Sequence, residues 1–173
     1  MSVKTFPNRE SRVPGNIVFN TDGSVVNTLQ PAFLVYKNAN KLNITGAGTV
    51  AALTWQTEQF DQGGDFASDT FTAPVTGKYP LSAQVRLSQL TALATSSTIR
   101  LIMSNNTIIR VWTGAAGTLV TDPSLVISGT FDMDANDTAT VSVSVTGEAA
   151  DTVDVLFGSA GNPQTFFSGH LAC

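Results

Sequence analysis

Histidine and cysteine occur once each in this chain of 173 residues, as His170 and Cys173. A lone cysteine closes no intrachain disulfide, so no disulfide framework holds the fold. A lone histidine leaves little to build a nucleophile–base pair from. Ser168 and His170 share one face of one predicted strand, where neighbouring side chains point in parallel, and no third orienting group is in view. Catalysis is not expected, and neither is a cofactor. Charge is also scarce, at 13% of residues, and it is unevenly spread. All Lys and Arg lie at or before Arg110, so the back third carries only acids. Nucleic acid as a partner would need clustered positive charge, and beyond a small group near the N-terminus there is none.

Long apolar runs are missing too. None could span a bilayer, and no membrane partner is expected. The opening MSVKTFPNRESRVPG has no apolar centre and does not read as a signal peptide, so the expectation is synthesis in a cytoplasm. Helical periodicity is absent as well. LSQLTALATSS comes nearest, but it is short and ends in a Thr/Ser run, which reads as a loop. There are no solenoid repeats and no heptads.

What is present is a β composition. Hydrophobic residues make up 42% of the chain, with Thr, Val, Ser and Ala prominent, and branched side chains lose less on a pleated surface than in a helix. The run KYPLSAQVRL alternates cleanly. Tyr79, Leu81, Ala83, Val85 and Leu87 face one way, and Lys78, Pro80, Ser82, Gln84 and Arg86 the other. PAFLVY, KLNIT, TVAALTW and DTFTAP precede it as strand candidates. STIRLIMS, TIIRVWT, LVISGTF, TATVSVSV, DTVDVLF and TFFSGHLA follow. Asp22-Gly23 and Asn105-Asn106 mark hairpins. Residues 1–15, with Pro7, Pro14 and Gly15, suit an extended arm. Short strands at roughly 8- to 12-residue spacing predict an all-β sandwich or jelly roll.

Five segments in this order carry a resemblance: PAF from Pro31, FDQGGDF from Phe60, FTAPVTGKYPLSAQV from Phe71, LVISGTFDMDANDTATVSVSV from Leu125, and the closing FFSGHLA. Phe71, Pro74, Gly77, Tyr79, Phe167, Gly169 and Leu171 are its most specific positions. The chain resembles the complement C1q-like head domain, a relative of the tumour necrosis factor jelly roll, over about residues 31–173. The resemblance implies a jelly-roll β-sandwich that assembles as a homotrimer, with residues 1–30 as an N-terminal arm holding one short β-hairpin. No Gly-X-Y stalk is present, and a late turn that is often Gly-Asp in the family reads Asp134-Ala135-Asn136-Asp137 here. The stalkless form is similar to copies of this fold in bacteriophage virions. That implies a capsid decoration or cement protein, or a short head fibre, whose partner is a major capsid protein or another virion protein. The alternative is a tail-fibre tip that binds a host receptor or surface glycan.

The residues suggest roles by themselves as well. In the arm, Lys4, Arg9 and Arg12 surround Phe6, a basic segment with one apolar anchor that suits docking on an acidic capsid surface. The seven motif positions are expected first as a structural core motif, and Gly169 predicts close approach of another backbone or ring. If the last strand lies near a three-fold axis, as the resemblance implies, three copies of His170 face one another. Asp132, Asp134 and Asp137 are the candidate metal ligands, but the turn glycine and terminal Glu of an EF-hand loop are missing, and a solvated turn is the alternative. Trp55 and Trp112, each at the end of a β-prone run, are either sugar-stacking platforms or half-buried aromatics. Asn43, Asn105 and Asn136 open Asn-x-Thr triplets that read as turns.

Overall fold

The computed structural model describes residues 17–19, 25–27, 30–113, 122–159 and 161–172. The chain divides into two compact units, Met1–Gln30 and Pro31–Cys173. In the first, β1 (Ile17–Phe19) pairs antiparallel with β2 (Val25–Asn27), Val18 opposite Val26. The Asp22-Gly23 turn expected between them lies outside the described residues.

The second unit is an all-β sandwich. Its first sheet contains β3 (Ala32–Tyr36), β4 (Lys41–Thr45), β6 (Thr57–Gln62), β9 (Gly77–Ser88), β12 (Ser124–Met133), β14 (Val153–Leu156) and β17 (Phe166–His170). The order is β4-β14-β9-β17-β3-β6, with β12 on the other edge of β9. The second sheet contains β5 (Ala51–Ala52), β7 (Phe66–Ala67), β8 (Thr70–Thr72), β10 (Ser96–Met103), β11 (Thr107–Thr113) and β13 (Thr138–Thr146). Its order is β11-β10-β13-β8-β7, with β5 beside β13. A two-residue pair, β15 (Gly158–Ser159) and β16 (Asn162–Pro163), closes a late loop. From β4 onward the chain crosses repeatedly between the sheets, as a jelly roll requires. The first and last strands of the unit, β3 and β17, end as neighbours.

β9 organises the core because its period of two matches the pleat. Tyr79, Leu81, Ala83, Val85 and Leu87 are all buried, and β12 presents Leu125, Ile127, Phe131 and Met133 beside them. From the second sheet come Ile99, Leu101, Val141, Val143 and Val145. Each such side chain adds about 1.5–3 kcal/mol on burial. At the Gly77 end the core is aromatic. Phe33 stacks on Phe71 with centroids 4.6 Å apart and meets Phe167 edge-on at 4.9 Å. Phe71 contacts Tyr79 at 5.5 Å, and the Tyr79 hydroxyl donates to Val75 O at 2.8 Å. Gly169 leaves room for this packing. A Cβ there would collide with the Leu81 side chain and lie 2.9 Å from the Phe33 ring, so the close approach expected of this glycine is real.

Several expectations need correction. β6 was not foreseen, because TEQFDQ is a polar edge strand whose side chains are largely exposed and carry no alternation. A bulge between Leu34 and Val35 further blurs its register against β3. TVAALTW is not one strand: only Ala51–Ala52 pairs with β13. The chain then leaves the second sheet, and Gln56 N–H reaches Tyr36 O on the first. Pro74 is exposed rather than core, since it sits in the turn ahead of β9. Gly77 is only partly buried and opens β9 opposite Met133. Leu171 is only partly buried, though it packs against the core. The second hairpin exists, with Met103 and Asn106 exchanging both backbone hydrogen bonds, so its two central residues are Ser104 and Asn105. Asn43 is not in a turn but within β4, at positive φ.

Candidate functional site

Lys4, Phe6, Arg9 and Arg12 lie outside the described residues. The other expected site residues can be placed. Ser168 and His170 both lie on the outward face of β17, with His170 exposed at its end opposite Ala32. Positions two apart on a strand are separated by about 7 Å, too far for direct proton transfer. The structure therefore joins them into no dyad.

The three late aspartates do not converge on a common point. Asp137 organises its own turn: it accepts Ser104 Oγ at 2.6 Å on one oxygen, and Asn105 Nδ2 at 2.7 Å and Asp134 N–H at 2.8 Å on the other. The Ser104 hydroxyl first, and then the Asp134 amide, hold its carboxyl below the usual range. Asp132 pairs with Lys78 at 2.6 Å on the surface, and Asp134 faces the Thr76 hydroxyl at 3.4 Å. Among the described residues no three His, Cys, Asp or Glu gather as metal ligands. Asn136, at φ 76°, completes a turn that bonds to Ala73 O.

The two tryptophans part company. Trp55 is half-buried, packs on Phe167 with centroids 6.1 Å apart, and has its indole nitrogen enclosed. Trp112 is exposed on β11, the edge of the second sheet, where Ile109 and Val111 are exposed as well. Among the described residues no strand pairs with the outer side of β11, and an apolar edge of this kind is an association surface unless something covers it.

The outward face of the first sheet is a feature that the sequence did not mark. Cross-strand register aligns Val126, Gln84, Phe166 and Tyr36 in one row. The next row is Ser128, Ser82, Ser168, Leu34 and Phe60. Neither row holds a charged residue. Val126 and Phe60 are 48% and 47% exposed. Charge returns away from these rows, at Lys78 opposite Asp132, at Arg86, and at exposed Glu58 on β6.

Buried ionisable groups were also invisible beforehand. Lys37 is 1% exposed and donates from Nζ to Thr54 O at 3.2 Å and to Gln56 Oε1 at 3.5 Å. Burial first, then the charge of Lys41, lowers its pKa from 10.5, with Asp69 opposing. The unfolded chain therefore holds this proton more tightly, and stability rises with pH between the folded value and 10.5. At neutral pH the charge is a standing cost. Lys37→Met keeps the stem's packing and is expected to melt at or above the parent at pH 7, with the gap closing as pH approaches 10.5. A lower midpoint at pH 7 would show that the ammonium contributes net stability. Glu148 and Asp154 are each 7% exposed, at the Ser88 end of the sandwich.

No protein-family model matches the chain, and no curated protein matches it in sequence. Its similarity is to solved structures. The globular domain of zebrafish complement 1qA protein aligns with a TM-score of 0.54 at 18% identity, over 83% of this chain and 98% of that one. Murine APRIL at pH 5.0 aligns with a TM-score of 0.53 at 14% identity, over 82% of this chain and 98% of that one. At such identities the likeness establishes architecture alone. With the sheet order and the β3–β17 closure, it places residues 31–173 in the complement C1q/tumour necrosis factor-like jelly-roll fold.

Proposed function

We propose that this chain is a non-enzymatic structural protein of a bacteriophage virion. It acts as a homotrimer that decorates or cements the capsid, or forms a short head fibre, and docks through its N-terminal arm. The observation that carries the assembly is the pair of uncharged rows across the middle of the first sheet's outward face, with Val126 and Phe60 each about half exposed in them. A second copy is the occupant that suits such a face, because burying it strands no charge. Closed cyclic symmetry then leaves no patch uncovered. The virion role rests on the sequence resemblance: a C1q-like head behind a basic arm.

Two measurements test this reading. Light scattering of the full chain should give three times 18.1 kDa, about 54 kDa. Residues 31–173 should remain a folded trimer but fail to attach to particles lacking the protein. Single exposed ion pairs contribute only about 0–1 kcal/mol, so attachment needs the whole arm and the avidity of three. A monomer at micromolar concentration refutes the assembly. Full attachment by the truncated head moves docking to the jelly roll.

A further inference from the structure

The outward face of the second sheet carries one charge with nothing to balance it. Val141, Val143 and Val145 of β13 are buried in the core, so Ser142 and Ser144 between them point outward. Register then sets Ile109, Arg100, Ser142 and Ala52 side by side across β11, β10, β13 and β5. Val111, Thr98 and Ser144 form the row beside it. No strand of this sheet contains an Asp or Glu. Its other cation, Arg110, is opposite Ile99 and so lies on the other face of β11.

Arg100 and Ser142 both hold donors that the protein does not use. Arg100 is half-buried, and its guanidinium donates to Ser144 Oγ at 2.9 Å. That takes one of its five N–H groups, and no carboxylate among the described residues pairs with it. The guanidinium reaches diagonally to the next row and bypasses the serine directly opposite. Ser142 is 3% exposed, and its hydroxyl is enclosed without a hydrogen-bond partner. Ala52, on its other side, has no polar group to offer. A buried hydroxyl left this way is costly unless a ligand or solvent completes it. The row thus holds a cation and a spare hydroxyl and lacks an acceptor.

We propose that this row binds the carboxylate of an acidic sugar, one oxygen on the Arg100 guanidinium and the other accepting the Ser142 hydroxyl. Bonds from a cation to a carboxylate are charge-assisted and stronger than neutral ones. Ser142 is enclosed in the free chain, so Arg100 turns outward from Ser144 to meet the ligand and opens the approach over exposed Ala52. A single cation on a chain of net charge −4 suits one carboxylate and not a polyanion. Ile109 and Val111 are 49% and 53% exposed beside the guanidinium and suit the apolar face of a pyranose. The hydroxyls of Thr98 and Ser144 suit its ring hydroxyls. This face lies away from the uncharged rows proposed for assembly, so the inference stands or fails apart from trimer mass and arm docking.

The test is amide-resolved NMR titration of the full chain with N-acetylneuraminate, glucuronate, glucose and sodium acetate. An acidic sugar should shift the amides of Arg100, Ser142 and Ser144, and glucose and acetate should each bind about tenfold or more weakly. Arg100→Gln removes the charge and should weaken the acidic sugar by a similar factor. Ser142→Ala is the sharper variant. It should weaken binding several-fold while the melting midpoint holds or rises, because the hydroxyl it removes has no partner in the free chain. A lower midpoint with unchanged binding would make the hydroxyl structural and overturn the proposal. So would unchanged affinity in folded Arg100→Gln, or no shift at tens of millimolar acidic sugar. Acetate binding as tightly as the sugars would reduce the row to a non-specific anion contact, and glucose doing so would remove the role of charge; either result also overturns it.

Discussion

Tyr79→Ser is expected to cost the head about 3–5 kcal/mol, the usual penalty for deleting a buried aromatic ring. The ring is fully buried, contacts Phe71 at 5.5 Å, and belongs to the strand that both β12 and β17 pair with. A domain of this size loses roughly 2–4 °C in melting midpoint per kcal/mol, so a fall of about 6–20 °C is expected, measured at one protein concentration because assembly couples to stability. Tyr79→Phe separates packing from polarity. It keeps the ring and loses only the bond to Val75 O, worth about 0.5–1.5 kcal/mol. If the serine variant melts within a degree or two of the parent, the aromatic core does not depend on this ring.

Val126→Asp and Phe60→Asp are expected to convert the proposed trimer to monomers. In an isolated subunit both positions are about half exposed, and surface substitutions usually change stability by less than about 0.5 kcal/mol. Within an apolar interface, an unpaired carboxylate costs several kcal/mol, and cyclic symmetry repeats that cost at every contact. The scattering mass should fall from about 54 kDa to 18.1 kDa while the circular dichroism spectrum keeps its β character. Because the fold is spared, the readout is specific to association. Retention of the trimer by both variants would place the interface elsewhere, and the exposed β11 edge around Trp112 would then be the next surface to test.

Local pattern carried much of the architecture. β9 and β12 were legible because one face of each is buried, and a period of two writes that directly into residue order. Gly169 was legible for a related reason: a glycine between Phe167 and Leu171 on a buried face implies that something lies close, and the structure supplies Leu81 and Phe33. β6 escaped because an edge strand with exposed side chains leaves no alternation to read. Pro74 and Gly77 were recognised as a motif but misassigned as core, since a turn residue and a buried residue can be equally characteristic of a family.

The sequence alone determined that this is an all-β chain without a disulfide, and which faces of its central strands point inward. These properties depend on composition and on neighbours two residues apart. Tertiary structure alone decided which outward faces join into an uncharged surface, that Lys37 is enclosed, and that Asp154 meets Asn43 from 111 positions away. Those outcomes depend on which strands become neighbours. Register aligns residues far apart in the chain, and burial depends on what crosses over them, so neither is encoded in any local run.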